Sequence, residues 1–338
     1  MLKEICEQPQ AIANTIESNI DLGRGIVNLQ ELYEFTDELR KINHISIVAC
    51  GTARHAGLVG EYYLERFARI PVDVDFGSEF RYRDPILKDG TLTILISQSG
   101  ETADTLAGLR EAKVKAIPTL SICNVRESTL TRDSDIVLYT NAGPEIGVAS
   151  TKAFTTQLTV LYMLAIHLGV AKGTLKEDEA RRLTGELLKL PILIDKTLRM
   201  DKEIETIAAD LDAIQFFFYM GRNLNYAIAL EGALKLKEIS YAHAEGYPAG
   251  ELKHGPIALI DKRTAVIVLA PRNYPKGTSD VLYEKIFSNL QQVKSRGGNI
   301  ITIGTEGDLK FPSESKYFIG IPEATWALNP ILCSVPLQ

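Results

Sequence analysis

The sequence lacks the patterns that mark several common classes of protein. Its 338 residues include four widely spaced cysteines, with no CxxC pair and no histidine at metal-ligand spacing, which argues against a disulfide framework and a zinc site. Neither GxGxxG nor GxxxxGK followed by Ser or Thr occurs, so those loops for a dinucleotide or a triphosphate are not expected. The net charge of −6, with Lys and Glu interspersed, leaves no basic stripe for nucleic acid. We expect no metal, no cofactor and no nucleic-acid partner.

Long apolar runs are also missing. Stretches such as residues 158–166 and 265–270 are shorter than the ~18 residues that a membrane-spanning helix needs. The N-terminus shows no signal-peptide pattern. We therefore expect a cytoplasmic protein that does not contact a membrane.

The order of apolar runs indicates an α/β fold that occurs twice. From about residue 44, short β-branched runs alternate with helical patterns, as in parallel strands joined by crossover helices. The series repeats in the same order: residues 44–51 match 216–221, 91–96 match 264–269, 119–122 match 299–303, and 135–138 match 317–320. We interpret this as a duplication, although any two parallel α/β domains look alike at this level.

The same patterns predict three regions of the chain. Residues 1–40 read as a helical lead-in, residues 41–200 as the first domain and residues 201–338 as the second. A polar, helix-like stretch at 175–209 separates the two series. Each domain is expected to be a parallel sheet flanked by helices.

The strongest local signal is a hydroxyl-rich turn, Ser97-Gln98-Ser99-Gly100-Glu101-Thr102. It follows the strand at 91–96 and opens a helix, so free backbone N–H groups and three hydroxyls coincide at a positive dipole end. One phosphate on a small molecule is the expected ligand. The alternative is that Ser99 or Thr102 only caps the helix.

The helix predicted at 225–240 carries a charged stripe within an apolar face. At 100° per residue, Glu231, Lys235 and Glu238 fall within an arc of roughly 60°. A solvated pair of charges is the ordinary explanation. Burial by the apolar flanks would instead let these groups shift each other's pKa and move protons.

Two further loops are candidates for a site. His254 lies in a segment bracketed by Gly250 and Gly255-Pro256, and histidine is the side chain best suited to proton transfer at neutral pH. The loop at 143–152 precedes a helix, and its backbone and Ser150 could contact sugar hydroxyls.

Together these segments resemble the sugar isomerase (SIS) domains of the glutamine:fructose-6-phosphate amidotransferases, that is, the glucosamine-6-phosphate synthases. The resemblance covers nearly the whole chain and rests on long runs: Cys50-Gly51-Thr52, residues 97–105, 145–157, 231–240 and 250–256. It implies two flavodoxin-like SIS subdomains, a homodimer, and conversion of fructose 6-phosphate and ammonia to glucosamine 6-phosphate.

The resemblance also implies a role for individual residues. Thr52, Ser97, Gln98, Ser99 and Thr102 would bind the hexose 6-phosphate substrate, the last four at its phosphate, and Val148 and Ser150 would contact the sugar. Glu238 would move a proton between C1 and C2, with Lys235 assisting at the C2 oxygen and Glu231 beside it in the catalytic group. His254 would open the sugar ring, reaching into the site of the neighbouring chain.

Three departures from the family pattern qualify these expectations. The family's N-terminal glutaminase domain, and the C-terminal tail whose lysine forms a Schiff base, are both expected to lie outside this sequence. Ala53 stands where the family usually has serine. The alternatives are a regulatory module that binds a sugar phosphate without chemistry, and a stand-alone phosphosugar isomerase or deaminase that needs no ammonia.

Overall fold

The chain divides into two compact units, Met1–Pro191 and Ile192–Gln338. The structure is a computed structural model, and it describes residues 1–274, 277 and 279–338. The division falls inside a helix at Leu190–Leu198, whereas the sequence placed the domain boundary at residue 200. The units are described separately below.

The first unit contains one parallel sheet with helices around it. Its helices and strands, in chain order, are α1 Leu2–Cys6, α2 Gln8–Glu17, β1 Ile20–Asp21, β2 Ile26–Val27, a 3-10 helix Gln30–Phe35, α3 Thr36–Lys41, β3 His44–Ala49, α4 Gly51–Phe67, β4 Val72–Phe76, α5 Gly77–Phe80, β5 Thr91–Ser97, α6 Ala103–Val114, β6 Thr119–Cys123, α7 Thr129–Asp133, β7 Ile136–Tyr139, α8 Lys152–Ala171, α9 Glu177–Leu187 and α10 Leu190–Leu198, which crosses the division.

The second unit repeats this plan. Its elements are α11 Asp201–Asp210, β8 Phe216–Gly221, α12 Leu224–Ser240, β9 His243–Pro248, 3-10 helices Leu252–His254 and Pro256–Leu259, β10 Thr264–Ala270, α13 Ser279–Lys294, β11 Asn299–Thr305, a 3-10 helix Pro312–Glu314, β12 Tyr317–Ile321, α14 Asn329–Ser334 and a final 3-10 helix Val335–Leu337.

Both sheets have the same strand order. The first runs β4-β3-β5-β6-β7 and the second β9-β8-β10-β11-β12, with all neighbours parallel. When the five strands of each parallel sheet are numbered in chain order, both sheets have the order 2-1-3-4-5. This is the flavodoxin-like doubly wound order. The predicted α/β fold of two parallel sheets flanked by helices is confirmed, and the four predicted strand correspondences are β3 with β8, β5 with β10, β6 with β11 and β7 with β12.

The central strands form because their β-branched and apolar side chains are buried on both faces of the sheet. All seven residues of β5 and all seven of β10 are buried. The carboxyl ends of β3 and β5 lie side by side, since Ala49 pairs with Ile96. The loops that follow these two strands therefore meet at one edge of the sheet.

Helix α8 is the core helix of the first unit. By length and composition it could cross a membrane, with a mean hydropathy of 1.4, but 89% of that window is buried inside the unit. A helix that is apolar all round is expected in such a position. It packs against α4, α2 and α3.

Two strands of the parallel sheets were missing from the prediction. Both β4 (VDVDF) and β9 (HAEGYP) are edge strands, and their polar side chains interrupt the apolar runs on which the prediction relied. The helical lead-in also contains elements that were not predicted: residues 30–35 form a 3-10 helix, and β1 pairs with β2 in a short antiparallel ladder.

The close approach of α8 to the end of α4 gives a test of the packing. A Cβ atom on Gly169 would lie 2.8 Å from the backbone oxygen of Phe67, which cannot move aside as a side chain can. We expect Gly169→Ala to destabilise the first unit by about 1–3 kcal/mol through overpacking. The measurement is the urea midpoint of unfolding.

Gly185→Ala is the matched control. Gly185 lies in α9 with open space around the position of a Cβ atom, so alanine should be neutral there or stabilise the helix by up to ~1 kcal/mol. Equal effects of the two substitutions would contradict the close packing of Gly169.

Candidate functional site

The hydroxyl-rich turn of the first unit is organised by its own side chains. The amide of Gly100 donates to Ser97 Oγ at 3.0 Å, and the amide of Glu101 donates to Ser99 Oγ at 3.2 Å. Ser97 Oγ also lies 3.2 Å from Thr102 Oγ1. Because a hydroxyl that accepts one bond keeps its hydrogen for another partner, the Ser99 O–H remains a donor. The Ser97–Thr102 pair likewise keeps one spare hydrogen.

The helix after this turn is not capped by the turn's hydroxyls. Thr102 is the N-cap residue of α6, but its side chain makes no capping hydrogen bond. Capping was the alternative explanation for Ser99 and Thr102, and the geometry does not support it. The positive end of a 12-residue helix thus faces the same edge as the hydroxyls.

Gly100 and Glu101 are compatible with an anion site for different reasons. Gly100 has φ +68°, and a Cβ atom there would fall 2.0 Å from Ser128 Oγ, so only glycine fits. The Glu101 carboxylate accepts the Thr129 amide at 2.7 Å. This bond lowers the pKa of Glu101 and orients its charge towards the start of α7.

The other predicted residue at this edge is Thr52. It lies half-buried in the first turn of α4, directly after Gly51, which has φ +53°. Gln98 is also half-buried, and its carbonyl accepts the amides of Asn124 and Val125. The sheet thus brings Thr52 and Gln98 to neighbouring strand ends.

The loop that enters α8 is held by a carboxylate that the sequence reasoning did not assign. Glu145 Oε1 accepts the amides of Thr151 at 2.8 Å and Ala153 at 3.2 Å, and Glu145 Oε2 accepts the Ser150 hydroxyl at 2.9 Å. A carboxylate at a helix N-terminus is stabilising. Val148 is 96% exposed, so its side chain is free of the core.

In the second unit, α12 carries the predicted charged group. Lys235 Nζ lies 2.6 Å from Glu238 Oε2 and 3.5 Å from Glu231 Oε1. The side chains of Lys235 and Glu231 are only 2% and 3% exposed, while that of Glu238 is 31% exposed. The solvated-pair explanation is therefore wrong for Glu231 and Lys235, and the burial that the apolar flanks predicted is confirmed.

Helix α12 packs against β8 and β9. A Cβ atom on Gly246 of β9 would lie 2.7 Å from the Leu230 backbone nitrogen, so helix and strand are nearly in backbone contact there. Lys235 therefore lies between two carboxylates, the partly exposed Glu238 and the buried Glu231. A partly exposed carboxylate fixed by a buried ammonium is suited to exchange protons with a ligand.

His254 ends the 3-10 helix Leu252–His254, with its side chain exposed. Its backbone amide donates to the Glu251 carbonyl at 2.9 Å, which fixes the turn. Among the described residues, its imidazole has no hydrogen-bonding partner. The ring is therefore available to a ligand or to another chain.

Comparison with known proteins matches regions in both units to one family. The family model described as "SIS domain" matches residues 38–167 and 216–338. Glutamine–fructose-6-phosphate aminotransferases [isomerizing] of Chlorobaculum tepidum and Clostridium tetani are 48% and 49% identical over all 338 residues, which cover 54% of each relative.

Solved structures give the same result. The C-terminal domain of glucosamine-fructose-6-phosphate aminotransferase from Francisella tularensis is 41% identical, with a TM-score of 0.93, over 100% of this chain and 93% of that one. A glucosamine-6-phosphate deaminase from Thermotoga maritima is 25% identical with a TM-score of 0.73, over 100% of this chain and 91% of that one.

Two flavodoxin-like units, each matched by the same model, define a doubled sugar isomerase fold. The chain belongs to the SIS domain family, within which it corresponds to the C-terminal isomerase region of the glutamine–fructose-6-phosphate aminotransferases. It spans about half the length of the curated relatives it matches. The predicted duplication agrees with the two matched regions.

The buried charges of α12 give a stability prediction. We expect Lys235→Met to destabilise the second unit by about 3 kcal/mol, because removing one partner of a buried ion pair leaves the buried Glu231 without that ammonium. Lys237→Met is the matched control, since Lys237 lies on the same helix but is exposed. Urea unfolding of both variants measures the difference. Similar small effects would show that Lys235 is solvated in solution.

Proposed function

We propose that this chain is the isomerase and synthase region of a glucosamine-6-phosphate synthase, which converts fructose 6-phosphate and ammonia to glucosamine 6-phosphate in the cytoplasm. The observation that carries the proposal is the Glu231–Lys235–Glu238 group, in which Glu231 and Lys235 are buried and Glu238 is partly exposed, in a chain that also has an uncapped, hydroxyl-rich helix start. The names of the full-length relatives support the substrate and the reaction.

The phosphate binds at the turn 97–102. Ser99 donates its hydroxyl hydrogen, the hydrogen-bonded Ser97–Thr102 pair donates its one spare hydrogen, Gln98 supports the turn, and the N-terminus of α6 supplies the positive dipole. Thr52 contributes from the neighbouring strand end. These neutral hydroxyl donors and the helix dipole together would bind one phosphate group.

Glu238 moves a proton between C1 and C2 of the open-chain sugar. Lys235 orients the Glu238 carboxylate at 2.6 Å and assists at the C2 oxygen, while Glu231 balances the charge of Lys235 inside the unit. Val148 and Ser150 contact the sugar from the loop before α8.

The functional assembly is a homodimer in which His254 opens the sugar ring bound by the neighbouring chain. The support is the exposure of the His254 imidazole at the end of a fixed turn. An imidazole can accept a proton at one ring nitrogen and donate one from the other, which suits it to ring opening.

Paired variants separate binding from chemistry. Ser99→Ala should weaken fructose 6-phosphate binding about tenfold, because a hydrogen bond to a charged group is lost. Glu238→Gln should leave binding unchanged but lower the rate of hexose-phosphate isomerisation, or of amino-sugar formation with ammonium, at least about 100-fold.

Calorimetric titration with fructose 6-phosphate, glucose 6-phosphate and unphosphorylated fructose measures the binding. Loss of binding in Glu238→Gln would give that residue a different role, and unaltered affinity in Ser99→Ala would remove that serine from the site. A sugar-phosphate-binding regulatory module would bind without turnover. Exchange of aldose and ketose with no incorporation of ammonia would instead indicate a stand-alone isomerase.

A mixture of two inactive variants tests the shared site. If His254 serves the neighbouring chain, hybrids of Glu238→Gln and His254→Ala chains contain one intact site, and the refolded mixture should regain about a quarter of wild-type activity. Each variant refolded alone is the control. An inactive mixture would place His254 in the site of its own chain.

A further inference from the structure

The loop that presents Val148 and Ser150 has little regular structure of its own. Residues 140–151 connect the end of β7 to α8 without a helix or strand, and Ile146 and Val148 are 89% and 96% exposed. A loop of this kind keeps one conformation only if other groups bind its backbone. The second half is bound by Glu145, as described above.

The first half of the loop is bound by a residue far away in sequence. Glu4 Oε1 accepts the amide of Ile146 at 2.6 Å and the amide of Gly147 at 3.0 Å. The Glu4 side chain is only 10% exposed. A Cβ atom on Gly147 would lie 2.5 Å from Glu4 Oε2, so the carboxylate and the glycine fit each other.

The electrostatics of Glu4 favour its charged form in this contact. Burial raises the pKa of Glu4, but hydrogen bonds from the amides of Gly147 and Ile146 lower it, and the pKa lies below its usual value. Hydrogen bonds to an ionised acceptor are about twice as strong as neutral ones.

The segment of α1 and α2, which contains Glu4, makes further contacts with the ends of the loop. Lys152, the first residue of α8, is 3% exposed, and its ammonium lies 2.7 Å from Glu7 Oε2 in the residue between α1 and α2. At the other end of the loop, Asn141 Nδ2 donates to Ser18 Oγ at 3.1 Å. The segment that contains Glu4 is therefore bound to both ends of the loop, through Glu7 at Lys152 and through Ser18 at Asn141.

We propose that Glu4 is a positioning residue for the sugar: it sets the backbone of residues 146–148 so that Val148 and its neighbours meet the sugar part of the substrate. This inference rests on the proposed function. Glu4 touches the loop and not the phosphate turn, so its removal should affect recognition of the sugar and spare recognition of the phosphate.

The test compares two ligands in the intact chain. We expect Glu4→Ala to weaken fructose 6-phosphate binding about tenfold while the affinity for inorganic phosphate stays the same. Glu4→Gln, which keeps a neutral acceptor oxygen, should recover part of the loss. Glu17→Ala, at an exposed position of α2, is the control and should bind both ligands as the wild type does.

A second measurement reports on the loop without any ligand. Hydrogen exchange of the 143–151 segment should be faster in Glu4→Ala than in the wild type or in Glu17→Ala, because two backbone amides lose their acceptor. Unchanged exchange, or an equal loss of affinity for both ligands, would overturn the positioning role.

The outcomes also separate this inference from the proposed function. A wild-type chain that binds inorganic phosphate as tightly as fructose 6-phosphate would overturn both, since it would recognise no sugar. A wild-type chain that prefers fructose 6-phosphate, with the preference intact in Glu4→Ala, would overturn the role of Glu4 alone.

Discussion

The parallel arrangement of the strands is the constraint on which the rest of each unit depends. Parallel strands require a crossover after each strand, so their carboxyl ends share one edge of the sheet. In the first unit this places the turn at 97–102 beside the start of α4, because Ala49 pairs with Ile96. The helices that provide the crossovers begin at that edge and bring free amides and positive dipoles with them. A site for an anion follows from the topology before any side chain is chosen.

Carboxylates make different contacts in the two units. In the first unit, Glu4 and Glu145 accept backbone amides of the loop before α8, and Glu101 accepts the Thr129 amide at the start of α7. In the second, Glu231 and Glu238 lie against the ammonium of Lys235. A carboxylate that accepts several amides stays an acceptor, whereas Glu238 keeps part of its surface in solvent and is suited to exchange a proton.

Much of the fold could be predicted because the central strands are buried on both faces. Their apolar runs occur in the same order in both halves, and each matched run became a strand at the same place in its sheet. Strands β4 and β9 were missed because Asp73, Asp75 and Glu245 interrupt their apolar runs, which an edge strand tolerates. The hydroxyl turn was found because all its parts are consecutive. Glu4 gave no such signal, since 142 residues separate it from Ile146.

The sequence by itself determined the doubled α/β plan, the turn at 97–102 and the spacing of Glu231, Lys235 and Glu238 on one side of a helix. These are local properties, set by strand and helix periodicity and by residues adjacent in the chain. Only the tertiary structure decided whether Lys235 is solvated or buried, because that depends on which parts of the chain pack against α12. It alone decided that Glu4 holds the loop before α8. Such contacts join distant parts of the chain, and no local pattern encodes them.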